Sequence, residues 1–172
     1  MPNQATIRQI AERNVQMLTL KPSRGFLTGH TKARVVGGLR CEIEDGAWHL
    51  VADMPVKAGG DETAPTPGVL GRGALASCLA IGVASWGARL GVAIDAVEVE
   101  VQADFNARGE LGIEGIAPGY TQVRYLVSID SPASTAELTR LLDLVERHSP
   151  YLDVFAHATP LRRTVRLNGQ EV

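Results

Sequence analysis

The fold is decided by residues 69–90, which read VLGRGALASCLAIGVASWGARL. This stretch is apolar on nearly every face of a helix, a distribution typical of a helix buried on all sides. Because glycine weakens an isolated helix, tertiary packing must hold this one together. The apolar span between Arg72 and Arg89 is rich in Ala, Gly and Ser and is shorter than the about 20 apolar residues that cross a bilayer. We therefore expect a buried central helix and no membrane partner.

The residues before this helix predict a small antiparallel sheet followed by a loop. Lys32–Val36 and Arg40–Glu44 are short and partly alternating, and Trp48–Ala52 alternates after the turn signal Asp45-Gly46. Two alternating segments joined by such a dipeptide are typical of a hairpin. The stretch Pro55–Gly68 is dense in Gly, Pro, Asp and Thr and is predicted to be a loop.

The residues after the helix predict two strands and another helix. Gly91 is a plausible stop, and apolar residues then alternate with polar ones in Val97–Val101 and again in Val123–Ile129. Ser134 and Glu137 have the spacing of a capping box, in which each side chain satisfies a free backbone N–H of the other. These residues therefore mark the start of a helix.

The two ends of the chain carry simpler patterns. Ala5–Leu20 has apolar residues near helical spacing and predicts an amphipathic helix that docks on the protein or on a partner. His148–Ala158 is expected to be a short helical connection, and Leu161–Leu167 a closing strand. Strands, a buried helix, strands, a helix and a strand in this order predict the α+β class with antiparallel sheets.

Composition excludes several classes of protein. Seventeen basic and nineteen acidic side chains give a net charge of −2, which disfavours a nucleic-acid partner. Two cysteines are too few for a disulfide-rich secreted scaffold or a four-cysteine zinc site. The N-terminal residues have no continuous apolar stretch typical of a secretory signal. We expect a soluble, cytoplasmic protein.

The two thiols, Cys78 and Cys41, each admit two interpretations. Free cysteine often packs as a small hydrophobe, whereas a reactive thiol needs a cation or a helix N-terminus to stabilise its thiolate. Cys78 lies too far along the central helix for the helix dipole to suffice, so a reactive Cys78 requires a cation from elsewhere. Cys41 is either a packed strand residue or the thiol that resolves a sulfenic acid on Cys78.

Several motifs occur in a characteristic order: Val35–Arg40, Gly60–Pro67, Ala76–Leu79, Val97–Val101, Asn106–Tyr120 and His148–Tyr151. In this order they resemble the OsmC and organic hydroperoxide resistance family, in which a proline-containing loop leads into a central helix that bears the peroxidatic cysteine. The resemblance covers residues 33–168. It implies an N-terminal helical extension over residues 1–30 and an OsmC-like domain over residues 31–172, with antiparallel sheets packed around the long buried helix.

The resemblance also implies a site and an activity. By position, Cys78 is the attacking thiol and Arg40 the cation that orients and stabilises its thiolate. The implied activity is reduction of organic or other hydroperoxides in oxidative stress defence, with no cofactor. The family forms intertwined homodimers with sites at the subunit interface. The implied partners are a second copy of the chain, a small hydroperoxide or apolar ligand, and an external thiol reductant.

Two residues depart from the family pattern. Ser149 stands where the second cysteine is expected, so the usual intramolecular disulfide cannot form and an external thiol must regenerate the enzyme. Gly68, ten positions before Cys78, replaces the acidic residue that holds the arginine, and Asp61 or Glu62 are candidate substitutes. Ser149 is also placed to cap the short helix that follows it.

These departures keep two other functions open. One is a non-catalytic dimer that binds an apolar small molecule, and the other is a structural dimeric domain. Tyr151 and Phe155 either line an apolar pocket near the thiol or pack in the core. His49, His148 and His157 lack the close spacing of metal ligands, so no metal site is expected.

Overall fold

The computed structural model describes residues 3–172 and has the predicted α+β class with antiparallel sheets. Five helices lie in this range: α1 (Gln4–Leu20), α2 (Pro67–Leu90), α3 (Ala107–Glu110), α4 (Thr135–Arg147) and α5 (Pro150–Ala156). The strands of the same range are β1 (Lys32–Val35), β2 (Cys41–Asp45), β3 (Trp48–Ala52), β4 (Ala96–Phe105), β5 (Tyr120–Asp130), β6 (Arg166–Leu167) and β7 (Gln170–Glu171). Residues 1 and 2 of the predicted extension lie outside the described residues.

The first sheet contains β1, β2 and β3 in that order, all antiparallel. The predicted hairpin is confirmed: Asp45 pairs with Trp48, and Gly46 between them has a φ of 56°, in the left-handed region that favours glycine. Both faces of this sheet are largely open. Every residue of β1 is exposed, and Trp48 is 74% exposed.

The core forms between the second sheet and two helices. β4 pairs with β5 antiparallel, and the apolar residues of the two predicted alternating segments lie on the face that packs inward. Leu75, Leu79 and Val83 of α2 meet Leu141 and Val145 of α4 against this face, and all five are at most 1% exposed. The pattern of alternating valines thus places the sheet against α2 by burying one face.

Local signals set the ends of the helices. Ser134 and Glu137 form the predicted capping box at the start of α4. Thr66 caps α2 by accepting a hydrogen bond from the Val69 amide, and Gly91 ends that helix with a φ of 72°. The predicted start of α4 and the predicted stop at Gly91 are therefore confirmed, whereas α2 begins at Pro67, within the predicted loop.

The single chain does not show the central helix buried on all sides. The side chains fully buried on α2 follow one stripe, while Ile81 is 67% exposed. The elements packed against α2 are α1, β4, α4 and α5, and together they cover only part of its surface. Within the described range α2 is also the one helix long and apolar enough to cross a membrane, a criterion that core helices of soluble proteins meet as well.

The C-terminal strand is much shorter than predicted. Of Leu161–Leu167, only Arg166–Leu167 form a strand, which pairs with Gln170–Glu171 across a turn at Asn168 and Gly169. The preceding residues have no neighbouring strand within the described part of the chain, so they cannot complete a ladder of hydrogen bonds. At the other end, the predicted helix is confirmed as α1, which contacts α2, but none of its residues is buried and Val15 of its apolar face is 51% exposed.

Candidate active site around Cys78 and Arg40

The thiol of Cys78 lies against a hydroxyl from the other end of the chain. Cys78 is half-buried in the middle of α2, and its Sγ is 3.4 Å from the Oγ of Ser149. Ser149 is only 6% exposed and lies between the end of α4 and the start of α5. Packing of α2 against both helices therefore brings together two side chains that are 71 residues apart.

Ser149 is held by the backbone of the helix that it begins. Its Oγ accepts a hydrogen bond of 3.2 Å from the Leu152 amide, and Pro150 occupies the first turn of α5. The predicted capping role is confirmed. The same residue, which stands at the position expected for a second cysteine, thus presents its hydroxyl to Cys78.

Arg40 lies immediately before β2 and is exposed. Its Nη1 donates a hydrogen bond of 2.9 Å to the Oγ1 of Thr63, in the loop before α2. No hydrogen bond joins Arg40 to Cys78 within residues 3–172. The single chain therefore does not unite the two predicted site residues, and the role of Arg40 stays a prediction.

Asp53, a residue that the sequence did not single out, holds the threonine to which Arg40 is bonded. It is 1% exposed and accepts hydrogen bonds from the Met54 amide (2.7 Å), the Thr63 amide (3.0 Å) and the Thr63 hydroxyl (2.8 Å). The bonds from Thr63 are the main reason that the pKa of the Asp53 carboxyl lies below its usual value, although burial acts in the opposite direction. An aspartate directly after a strand and before a Gly/Pro-rich loop was the available signal.

The two acidic residues proposed as substitutes play a different part. No ion pair joins Asp61 or Glu62 to Arg40 in the described residues. The Asp61 amide helps to lower the pKa of the Asp53 carboxyl, and Glu62 adopts a left-handed φ of 54° within the turn. Their backbone, and not their carboxylates, contributes to the loop around Asp53.

Gly60 allows this loop to close. A Cβ at Gly60 would lie 2.0 Å from the carbonyl oxygen of Met54 and 2.8 Å from Oδ1 of Asp53. A Cβ atom does not approach a non-bonded atom this closely, so any side chain at this position would push the loop away from the buried carboxylate. The glycine is required by close approach, and its own φ is not in the left-handed region.

The side chain of Arg72 lies next to Gly68, the position at which an acidic residue was expected. A Cβ at Gly68 would lie 3.3 Å from Nη1 of Arg72, which donates a hydrogen bond of 3.3 Å to the Tyr120 hydroxyl. Arg72, Tyr120 and Gly68 line a cavity of about 770 Å³ between the loop after β3 and the loop after β4. The sequence reasoning did not single out Arg72 or this cavity.

A second cavity, of about 600 Å³, lies beside α5. Its lining includes Leu75, which is one helical turn before Cys78, and Leu152, whose amide bonds Ser149. Phe155 both lines it and packs against the core, and it stacks on Tyr120 at 6.3 Å between ring centroids. Neither Tyr151 nor Cys78 is part of the lining. The walls are mostly apolar, so the cavity suits an apolar ligand.

Cys41 does not join Cys78 in the structure. Both cysteines are free thiols, and the Cys41 side chain makes one weak contact of 3.9 Å, with the backbone oxygen of Glu42. In the sheet Cys41 pairs with Val35 and Ala52. This environment favours a packed strand residue over a resolving thiol.

Comparisons with known proteins agree on one fold. The family described as OsmC-like protein matches residues 59–163, more than half of the chain. The search of curated proteins found no match. An OsmC-like protein from Mycoplasma pneumoniae is 14% identical with a TM-score of 0.64, and the alignment covers 76% of this chain and 88% of that one.

Two further solved structures carry names that describe a stress response. An organic hydroperoxide resistance protein OsmC from Legionella pneumophila is 20% identical with a TM-score of 0.57, covering 76% of this chain and 90% of that one. An organic hydroperoxide resistance protein from Elizabethkingia anophelis is 16% identical with a TM-score of 0.58, covering 75% and 88%. At these identities the likeness shows a shared fold.

Proposed function

The chain belongs to the OsmC-like family, and on that premise we propose that it is a thiol-dependent peroxidase for organic or other hydroperoxides. The names of the Legionella pneumophila and Elizabethkingia anophelis relatives support a role in peroxide stress. The observation that carries the proposal is the position of Cys78, half-buried on α2 and 3.4 Å from the residue at the second-cysteine position.

The chemistry starts with the thiolate of Cys78. Its sulfur attacks the terminal oxygen of the hydroperoxide, an S–O bond forms, and the O–O bond breaks. The peroxide is reduced to an alkoxide that takes up a proton and leaves as an alcohol, while Cys78 is oxidised to a sulfenic acid. The apolar cavity lined by Leu75, Leu152 and Phe155 would receive the organic part of the substrate.

Regeneration requires thiols from outside the chain. Ser149 has no thiol to condense with the sulfenic acid, so an external thiol attacks the Cys78 sulfur, water leaves, and a mixed disulfide forms. A second external thiol then releases Cys78 as a thiol and departs as part of a disulfide. Two thiols are thus oxidised for each peroxide reduced.

We further propose that a homodimer completes the site. The exposed stripe of α2, including Ile81, and the open first sheet, including Trp48, are apolar surfaces that a second copy would bury. Arg40 is exposed just before β2, and Thr63, itself bonded to Asp53, holds it. In the dimer Arg40 serves as the cation that stabilises the thiolate of Cys78.

A second candidate function is binding without catalysis. The two cavities of about 600 and 770 Å³ are large enough for a small organic molecule, and their walls are mainly apolar. The glycine at position 68 and the serine at position 149 remove two groups that peroxidase members use. A protein of this kind would bind an apolar ligand and leave the Cys78 thiol unchanged.

One experiment separates the two functions. Purified protein is treated with sub-stoichiometric cumene hydroperoxide, and the oxidised cysteines are trapped with dimedone and mapped by mass spectrometry. The peroxidase proposal expects a sulfenic acid on Cys78, its loss in Cys78→Ser, and its retention in the matched control Cys41→Ser. If Cys78 stays reduced while Cys41 is oxidised, the peroxidase proposal is wrong. An apolar molecule that co-purifies with such unreactive protein would favour the binding function.

A further inference from the structure

We propose that Ser149 is itself a catalytic residue, a hydrogen-bond donor to the thiolate of Cys78. This inference rests on the proposed function and adds a residue to the site. The Oγ of Ser149 lies 3.4 Å from the Sγ of Cys78, and the residue is 6% exposed. At that burial the hydrogen bond to sulfur is stronger than it would be in water.

The cap geometry leaves the hydroxyl proton of Ser149 available to Cys78. The Leu152 amide donates to the Ser149 oxygen at 3.2 Å, which leaves the single hydroxyl proton free for another acceptor. Either atom can donate while Cys78 is a neutral thiol. Once Cys78 has lost its proton, only the Ser149 hydroxyl can. The hydrogen bond then becomes charge-assisted and favours the thiolate.

Several charged groups on the surrounding helices have partners other than Cys78. Glu146 on α4 accepts a hydrogen bond from Tyr125, and Asp153 on α5 bonds His157. Three further groups contact aromatic side chains: His148 stacks on Trp86, Arg89 lies over the same ring, and Arg72 bonds Tyr120. On α1, Arg8 pairs with Glu12, and on β4 Asp104 pairs with Arg124. Among the described residues, the hydrogen bond of Cys78 is to Ser149.

The same contact continues after oxidation. The sulfenic oxygen on Cys78 offers the hydroxyl a new acceptor, and Ser149 cannot close a disulfide over the sulfur. The sulfenic acid therefore stays available to an external thiol. Ser149 thus performs one of the tasks of a second cysteine, contact with the reacting sulfur, and leaves the reductive task to another molecule.

The test measures the reactivity of Cys78 in a Cys41→Ser background, where it is the sole thiol. Ser149→Ala and Ser149→Gly are compared with Ser149→Thr, since threonine keeps the hydroxyl and glycine keeps most of the capping preference. Ser134→Ala removes the cap of α4, away from Cys78, and is the matched control. Alkylation by iodoacetamide is followed across pH, and oxidation by cumene hydroperoxide is followed separately.

We expect Ser149→Ala and Ser149→Gly to alkylate about three- to fourfold more slowly at neutral pH. Losing one hydrogen bond to a charged group lowers the thiolate fraction about tenfold, while the less stabilised thiolate becomes about threefold more nucleophilic. Ser149→Thr and Ser134→Ala should stay within about twofold of the parent, because both keep a hydroxyl at position 149.

Two results overturn the inference: unchanged alkylation profiles in Ser149→Gly, or an equal loss in Ser134→Ala. The inference and the proposed function fail separately. If alkylation slows in Ser149→Gly while the parent never reacts with peroxide, the donor role stands and the peroxidase proposal is wrong. If all variants are oxidised equally fast by peroxide and alkylate alike, the peroxidase proposal stands and Ser149 is only a helix cap.

Discussion

Asp53 receives two hydrogen bonds from one residue, Thr63, through its amide at 3.0 Å and its hydroxyl at 2.8 Å. Because the hydroxyl proton is given to the carboxylate, the Thr63 oxygen is free to accept from Arg40 at 2.9 Å. The Thr63 hydroxyl thus links the Asp53 carboxylate to the Arg40 guanidinium. This arrangement holds Arg40 although the acidic residue expected at position 68 is a glycine.

Replacing Asp53 with asparagine should destabilise the protein at neutral pH and remove part of its acid sensitivity. The folded pKa of this carboxyl is depressed, so its contribution to stability is present above the unfolded pKa of about 4 and is lost as pH falls through the folded value. Denaturant unfolding should show a gap between wild type and Asp53→Asn at pH 7 that narrows below about pH 4.

The matched control for this prediction is Asp61→Asn, which changes an exposed carboxylate of the same loop. It should leave the unfolding midpoint nearly unchanged. A gap between wild type and Asp53→Asn that is constant from pH 7 downwards would contradict the assigned role of the carboxylate.

Gly60→Ala should destabilise the chain by about 1–3 kcal/mol, because its Cβ would lie 2.0 Å from the Met54 carbonyl oxygen. Thermal or denaturant unfolding measures the loss. Gly29→Ala is the control, since a Cβ there meets no atom within 4 Å and the backbone is not left-handed. Equal unfolding midpoints for the two variants would show that the loop accommodates a Cβ at position 60 with little loss of stability.

Ser149→Cys should create the disulfide that the chain lacks. The two side chains already touch at 3.4 Å, so a sulfur at position 149 would lie next to the Cys78 sulfur, with which it forms an S–S bond of about 2.05 Å on oxidation. In a Cys41→Ser background, stoichiometric peroxide should consume both remaining thiols in a thiol titration, and a dithiol should restore them. In Ser134→Cys, placed at the cap of α4, the new thiol should stay free. Persistence of both thiols in Ser149→Cys after peroxide would contradict the contact.

Ile81→Asp should convert a homodimer into monomers, because the side chain is 67% exposed on the apolar stripe of α2 that a second copy would cover. Light scattering after size exclusion reports the mass of the particle. Ile81→Leu keeps the apolar surface and should preserve the dimer. A wild-type particle with the mass of one chain would refute the proposed dimer directly.

Local structure was predictable wherever a short pattern sets the backbone. The alternation in Val97–Val101, the capping box of Ser134 and Glu137 and the stop at Gly91 all appear as predicted. Each depends on residues within one or two turns, through side-chain period, local hydrogen bonds or a left-handed φ. The strand predicted over Leu161–Leu167 forms only at Arg166–Leu167, because a strand needs a neighbouring strand and a local pattern does not show whether one is present.

The site was only partly predictable for the same reason. From its pattern and motif order alone, the sequence determined the class of fold, the helix that carries Cys78 and the unusual serine at position 149. Tertiary structure decided that Ser149 contacts Cys78 and that Thr63 is hydrogen-bonded to both Asp53 and Arg40. It also decided that one chain covers only part of the apolar surface of α2. Contacts between distant residues depend on how whole elements pack, and periodicity along the chain carries no record of that packing.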